Sequence, residues 1–400
     1  MDILVDVDNI VGFTRCFIHM AGREKRDRET LKRHLLATLF AYGTNIGPYK
    51  MATASGMDHH QFVYIKKWYL YEEALKQANV MLVNNLHSIK TSYIWGDGTA
   101  CASDGRMFSA YDHNLFAKWY NRYGGNIILV YWHVVDKYVS VYSQVDHPSA
   151  SQVLLMLEGL IRHDTEMAVK KNFVDSHGQS EVAFAFCILL GFRLLPRLKR
   201  IKDERLYRPD RGLAYKNLES VMTRPINWDL IRDNYEMITK IAVAIAENGV
   251  SPIAVLRRFN TYSRRNTTYR AILEFGKVVK TNFLCEYLPS PDLQREVQEG
   301  LNKVEAWNGL NSFIHYGKAG GITERQLMDQ RQSVACLQLI QSCIIFWNTY
   351  VMDLLFGDRN SQFDHSKELN RLSPLLHHHI NPYGRFTIDL QGSGVLERFK

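Results

Sequence analysis

No CxxC pair occurs among the six cysteines, which are scattered at positions 16, 101, 187, 285, 336 and 343. That spacing excludes a zinc knuckle or a disulfide framework and fits a reducing cytosol. No uninterrupted apolar run reaches the ~18 residues that a bilayer-crossing helix needs, so neither a membrane span nor a membrane partner is expected. The opening MDILVDVDNIVGF lacks a basic segment followed by an apolar one, so no secretory leader is read and a cytoplasmic location is expected. A P-loop, a nucleophile elbow and a Ser-His-Asp order are all missing, which leaves ATP use and acyl transfer without support. Repeats and low-complexity segments are lacking as well.

What is present is a chain of 400 residues with 46% apolar content, enough for two or three packed units. The net charge of +8 is unevenly spread. Residues 193–216 hold nine Lys/Arg against three Asp/Glu, and residues 257–280 hold seven against one, leaving the remainder net acidic. Two concentrated basic segments are the footprint of a polyanion partner, although solvated basic helices would give the same count. Within them Arg193, Arg197, Lys199, Arg200, Arg264 and Arg265 are candidate DNA-backbone contacts.

Periodicity divides the chain into four regions. Residues 1–88 read as a helical flank, with helices over Asp27–Ala41 and Gln61–Leu86 and a loop between them. Residues 89–202 change to strand patterning. Thr91–Trp95 and Thr99–Ser103 read as one strand with a bend, and Asn126–Val135 and Tyr138–Val145 as a hairpin split by Asp136-Lys137. A helix over Ser149–Arg162, a short strand over Asn172–Asp175, a helix over Ser180–Gly191 and a last strand over Phe192–Leu198 follow. Residues 203–292 read as a helical insertion. Residues 293–400 hold a long, kinked helix over Leu293–Phe313, an apolar helix over Val334–Leu355 and a loop-like tail. Three strands, helix, strand, helix, strand is the order of a ribonuclease-H-like α/β sheet, with a helical flank, insertion and C-terminal part around it; fold alone carries no function.

The stretch IWGDGTACASDGRMF, Ile94–Phe108, carries the chemistry. Its two Asp-Gly pairs, Asp97-Gly98 and Asp104-Gly105, sit seven residues apart, and small residues fill the interval. Small residues let a phosphate or a metal come close, yet an Asp-Gly pair is equally the mark of a turn. Positions an odd number apart point to opposite faces of an unbroken strand, so only one of the two can face a shared site. Two further acids stand in suggestive settings: Asp175 at the end of a short strand, and Glu305 on a long helix.

These residues carry a resemblance. The run GDGTACASDGRMF resembles the signature of the DDE transposases of Tn-three-type replicative bacterial transposons. DVDNIVGFTRCFIH, GTNIGPYKMA, FVDSHG, LGFRLLPRLKRIKDERLY, LRRFNTYSRRN, GLNKVEAWN, IIFWNTY and LSPLLHHHIN resemble further blocks of that family, in order and over essentially the whole chain. The resemblance implies a triad of Asp104, Asp175 and Glu305. It also implies two Mg²⁺ ions, with Mn²⁺ as a substitute, and double-stranded DNA as partner, both transposon ends and target. Activated water would nick the 3′ ends, and the freed 3′-OH would attack target DNA. A homo-oligomer in the active complex and a place beside the bacterial nucleoid are implied too. The chain departs from the family pattern at Cys101-Ala102, at Ser176-His177 and at Val304. Family members are much longer, so a truncated, non-catalytic remnant that binds DNA or a full-length transposase is the rival expectation. A general ribonuclease-H-like nuclease is a third.

Lys303, two residues before Glu305, is a further candidate phosphate contact. His377-His378-His379 resembles a metal cluster, but adjacent residues seldom converge on one ion, so a structural role is expected. Trp307 and Trp347 stand at helical positions as core residues rather than base-stacking platforms.

Overall fold

The computed structural model describes residues 1–22, 26–247, 250–255, 266–356, 372–392, 394 and 396, and leaves aside the side chain at 177. At its centre lies a six-stranded mixed sheet. Its strands are β1 (Ala100–Ser109), β2 (Lys118–Tyr120), β3 (Gly125–Val135), β4 (Ser140–Asp146), β5 (Lys171–Val174) and β6 (Arg193–Pro196). The order is β2-β3-β1-β5-β6, and β4 shares the outer edge of β3 with β2. Strand β3 pairs antiparallel with β1 and β4, whereas β5 runs parallel to both β1 and β6. Asp136-Lys137 forms the β3–β4 turn, which Tyr138 completes in a left-handed conformation at φ 64°. Pro196, which has no N–H to offer a ladder, ends the edge strand β6.

One helix comes down on each face of the sheet through a glycine. On one side lies α10 (Pro291–Ile314), whose Val297, Gly300, Leu301, Val304 and Trp307 recur at three- and four-residue spacing on its buried face. A Cβ on Gly300 would stand 2.3 Å from the Phe173 ring, so only glycine allows this approach. Trp307 meets Trp132 of β3 with ring centroids 4.6 Å apart. On the other side, α6 (Gln152–Ile161) sets Gly159 over His133, where a Cβ would fall 2.0 Å from Nε2. The third helix of the sheet region, α7 (Glu181–Leu189), is capped by the Ser180 hydroxyl and closed by Gly191 at φ 86°.

The N-terminal helices α1 (Asp2–Val11), α2 (Arg28–Gly43), α3 (Gly47–Ser55), α4 (His59–Trp68) and α5 (Glu72–Ser88) gather around α11 (Leu327–Phe356). By length and composition α11 could cross a membrane, but 83% of its apolar window is buried inside the protein, as in a core helix. Gln338 of α11 donates to the Ser140 carbonyl at 3.0 Å, tying this bundle to β4. Between β6 and α10 lie α8 (Trp228–Ala246) and α9 (Thr267–Tyr287) with a small parallel pair, β7 (Leu206–Arg208) and β8 (Met222–Pro225). One contiguous apolar cluster runs from Leu4 to Ile388 through all of these regions.

Several sequence expectations need correction. Thr91–Trp95 is no strand; Lys90–Ile94 forms a 3₁₀ turn. Asp353 captures both the Thr91 N–H and hydroxyl at 3.1 and 2.6 Å, and Ser92 accepts from Lys137, so side chains take the place of a ladder. Strand β1 runs on from Ser103 through Asp104-Gly105 to Ser109. The helix expected over Gln61–Leu86 is broken, because the chain turns to bury Tyr69 and Leu70, whose N–H groups both reach the Ile65 carbonyl. The expected loop before it contains α3, with Pro48 in the first turn where its missing N–H costs nothing. The β7–β8 pair was not expected at all. The expected Ser251–Phe259 helix lies partly outside the described residues. Leu293–Phe313 lies within one continuous helix.

Candidate active site

Strand parity and register bring the first two acids together. In the parallel β1–β5 pair, Ser103 stands opposite Val174, so Asp104 and Asp175 follow on neighbouring strands. Adjacent strands lie ~4.8 Å apart. Asp104 shares its face of β1 with Arg106 and Phe108, which reach toward α10 and the segment after it. The Arg106 guanidinium donates to the Asn308 carbonyl and, at 2.7 Å, to the Ser312 hydroxyl, while Phe108 meets the His315 ring at 5.6 Å. Glu305 follows Val304 on α10; Val304 is buried against the sheet, and Glu305 emerges exposed on the flank. Val304, where the chain departs from the family pattern, is thus part of the core.

The electrostatics record how close these groups are. The Asp104 carboxyl is pushed up to about 6, first by burial; the Gly105 amide opposes this, the Asp175 and Glu305 charges reinforce it, and Arg197 opposes it again. Burial raises the Tyr131 hydroxyl well above its ordinary value, and the charges of Asp104 and Asp175 add to that. The Lys199 ammonium stands 3.6 Å from Asp175 Oδ2. Asp104 and Asp175 stand on neighbouring strands, the Glu305 charge acts on Asp104 from α10, and Arg197 and Lys199 lie near them. The carboxylates are hard oxygen donors, the kind that Mg²⁺ takes in small number, and a bound cation would relieve the repulsion seen at Asp104.

Asp97 takes no part in this cluster. Its Oδ1 accepts from the Thr99 N–H at 3.0 Å and the Thr99 hydroxyl at 2.5 Å, which closes a turn before β1 begins. The Thr99 hydroxyl holds the Asp97 carboxyl below its usual range.

The remaining candidates divide. Arg197 and Lys199 lie beside the acids, and Arg197 also donates to Gln298 of α10 at 3.3 Å. Arg200 is exposed just beyond them. Arg193, at the start of β6, is paired with Glu286 instead. Lys303 is not brought to the site: its ammonium donates to the Trp95 and Asp136 carbonyls at 2.6 and 3.0 Å and anchors α10 to the start of β1. Arg264 and Arg265 lie outside the described residues. Of the three tail histidines, His377 and His378 stack on each other and His377 also meets Phe313, while His379 stacks on Trp347. Trp307 is fully buried, and Trp347 donates to Asp6 at 3.1 Å.

Sequence reasoning missed the groups that hold the site. Arg106 could have been found by period two from Asp104. Gly300 could have been found by helical spacing from Val304 and from Trp307, which was expected in the core. A buried network on the opposite face of the sheet left no such mark. There the Ser103 hydroxyl donates to Asn172 Oδ1 at 2.8 Å and lies 2.9 Å from His133 Nδ1. Since that hydroxyl has one proton to give, His133 Nδ1 carries the hydrogen between them. Burial drives His133 down to about 3, so the ring is neutral. The network joins β1, β3 and β5 one residue before the first acid.

A mixed α/β sheet that sets Asp104 and Asp175 on neighbouring strands beside basic side chains has the make-up of a DDE-class domain. The chain belongs to the Tn3 transposase DDE domain family, whose model matches residues 2–386. It is similar to the transposase for transposon Tn1546 from Enterococcus faecium, with 33% identity over 389 residues that cover 96% of this chain and 39% of that protein. The transposases for Tn2501 from Escherichia coli and Tn501 from Pseudomonas aeruginosa match at 31% and 30% identity, with the same two shares. The chain therefore spans 39% of the length of these relatives. Membership in a DDE family implies the use of divalent metal in general.

Proposed function

We propose that this chain carries out the phosphodiester chemistry of DNA transposition, cutting transposon-end DNA and joining the 3′-OH to target DNA on a ribonuclease-H-like sheet. Asp104, Asp175 and Glu305 would together hold two Mg²⁺ ions. Bound there, the ions would supply activation of an attacking oxygen and stabilisation of a leaving oxygen. The observation that carries this reading is the β1–β5 register, which stands Ser103 opposite Val174 and so sets Asp104 and Asp175 on neighbouring strands, with the Lys199 ammonium 3.6 Å from Asp175. The Asp104 carboxyl, pushed up to about 6 first by burial and then by the Asp175 and Glu305 charges, accords with it.

The protein's own part is positioning. The β1–β5 register fixes Asp104 beside Asp175, while Arg106 and Gly300 hold α10 so that Glu305 can reach them. Arg197, Lys199 and Arg200 would contact DNA phosphates without reading sequence. Joining paired ends calls for more than one copy in the active complex.

The test is nicking of a labelled duplex carrying a transposon end, with Mg²⁺ or Mn²⁺ and with chelator. Metal-dependent cleavage by wild type that Asp175→Ala abolishes is the expected result. The same trace of product from both proteins overturns the proposal.

A further inference from the structure

Strand β5 leads into Asp175, and its backbone alone is a weak clamp. It is four residues long, and its ladder to β1 runs only from Ala100 opposite Lys171 to Ser103 opposite Val174. Parallel pairing is slightly less stable per residue than antiparallel pairing, and a slip of one residue would turn every β5 side chain to the other face. Such a slip would part Asp175 from Asp104.

The buried polar chain on the opposite face of the sheet supplies what the ladder lacks. Gln144 of β4 donates from Nε2 to the Leu155 carbonyl of α6 at 2.8 Å, and the same nitrogen lies 3.4 Å from His133 Nε2. His133 Nδ1 donates to the Ser103 hydroxyl at 2.9 Å, and that hydroxyl donates to Asn172 Oδ1 at 2.8 Å. Every donor thus points the same way, from β4 through β3 and β1 to β5, and hydrogen bonds aligned in this manner strengthen one another. Ser103, His133 and Asn172 are at most 2% exposed. The His133 ring has no room to swing, because α6 presses on it at Gly159 and the Tyr131 and Tyr142 rings flank it at 5.4 and 6.1 Å. Stability alone does not account for these groups, since apolar side chains of the same shape in place of all the partners would be nearly neutral or stabilising. A polar chain differs from such a core in having one satisfied arrangement, so it selects one register.

We infer that Ser103, His133 and Asn172 are positioning residues for the carboxylate site: their hydrogen bonds fix β5 against β1 and so set the spacing of Asp104 and Asp175. The chain ends one residue before the first acid and three before the second, so little backbone lies between the clamp and the groups it would hold. Buried as they are, the three side chains act only through the strands that carry them. The inference rests on the reading of Asp104 and Asp175 as metal ligands and deepens it, because it assigns the control of their spacing to the face of the sheet turned away from them.

The experiment measures Mn²⁺ binding to the full chain without DNA, from the electron paramagnetic resonance signal of the free ion, beside thermal melting and nicking. Wild type is expected to bind Mn²⁺ at a site that Asp175→Ala abolishes. The triple variant Ser103→Ala, His133→Leu and Asn172→Leu should melt within a few degrees of wild type yet bind Mn²⁺ about tenfold more weakly, the low end of what supporting groups contribute to a metal site. Ser103→Ala alone removes one oxygen and serves should the triple variant not fold; it should weaken binding by at least about threefold, and Ser103→Thr, which keeps the hydroxyl, should recover most of the loss. Gln338→Ala breaks a buried bond between α11 and β4, away from the acids. It should lower the melting temperature and leave Mn²⁺ binding within about twofold. A role in stability alone predicts instead that affinity follows melting temperature across all the variants. That pattern, or wild-type affinity in Ser103→Ala and in a folded triple variant, overturns the inference. Mn²⁺ binding that depends on Ser103 in a protein that never nicks sinks the catalytic reading alone. Nicking and Mn²⁺ binding that ignore Ser103→Ala sink the positioning role alone, and a wild type without Asp175-dependent Mn²⁺ binding overturns both.

Discussion

Asp97-Gly98 and Asp104-Gly105 are the same dipeptide, seven residues apart, and their carboxyl groups are driven in opposite directions. Asp97 lies exposed in a turn, where the Thr99 hydroxyl and amide favour its charge. Asp104 lies mid-strand, where burial and two neighbouring acids oppose its charge. What separates them is the start of a ladder. The chain reaches β1 at Ala100, so the first pair falls outside the sheet and the second falls where β5 and α10 converge. Local sequence gives both pairs the same standing; only long-range packing sets one in a turn and the other beside Asp175.

The sharpest way to break this comparison is to remove each carboxylate in turn. Asp104→Asn should lower metal-dependent nicking by more than about a hundredfold, as loss of one preorganised group in a charge-stabilising site does. Glu305→Gln should do the same. Asp97→Asn keeps the side-chain oxygen that closes the turn and should stay within about threefold. Nicking rates of the purified variants at saturating Mg²⁺ decide it. A dead Asp97→Asn beside an active Asp104→Asn would reverse the assignment of the first acid.

Proton linkage offers a second contrast, read from thermal melts in chelator. Folded Asp104 keeps its proton up to about pH 6, whereas an unfolded aspartate releases it near about 3.9. The folded state therefore binds this proton more tightly. The contribution is fully present below about pH 4 and is lost as the pH rises through about 6, amounting to roughly 2–3 kcal/mol. Asp97 has the opposite sign, because its folded carboxyl is held low. Its contribution is present above the unfolded value and fades as the pH falls through the folded one. Relative to wild type, Asp104→Asn should gain stability as the pH rises from about 4 to about 7, and Asp97→Asn should lose some at every pH above about 4. Parallel curves for wild type and Asp104→Asn would show that the site does not oppose its charge.

The same contrast explains which parts of the molecule could be read from sequence. Strands β3 and β4 were legible because β-rich runs of branched and aromatic residues and the Asp136-Lys137 turn are local signals. Helix α2 was legible from its apolar periodicity, and the structure adds the Asp27 cap. Thr91–Trp95 was misread because its backbone is captured by Asp353 on α11, 262 residues away in the chain. Asp104, Asp175 and Glu305 were picked out by ordered blocks of family resemblance, which composition and periodicity could not supply. Arg106, Gly300 and the Ser103-His133-Asn172 network stayed invisible because each acts through a partner that only the fold brings near. Lys303 was misassigned for the complementary reason. Nearness to Glu305 in sequence says nothing of which side of α10 it occupies, and two residues on a helix differ by about 200°.

The glycines give the finest test, since the two pairs need them for different reasons. Gly98 has φ +84°, a left-handed conformation that costs a side-chain-bearing residue about 1–2 kcal/mol. Its nearest obstacle, Met167 Sδ at 2.6 Å from an added Cβ, is flexible and can move. Gly105 has ordinary strand geometry, but a Cβ there would stand 2.8 Å from Leu129 Cδ1 and 3.2 Å from the Tyr131 ring. Alanine would also recover roughly 0.5–1 kcal/mol of the entropy that glycine loses in a strand. Gly98→Ala should therefore cost about 1–2 kcal/mol, and Gly105→Ala no more than about 1, measured as urea midpoints at equal slope. Trimming the obstacle distinguishes the mechanisms: Leu129→Val should relieve Gly105→Ala, while Met167→Ala should leave most of the Gly98→Ala penalty in place. If Gly105→Ala proved the costlier change, crowding on the strand would outweigh the backbone strain of the turn. Asp104 would then owe its position as much to that crowding as to strand register.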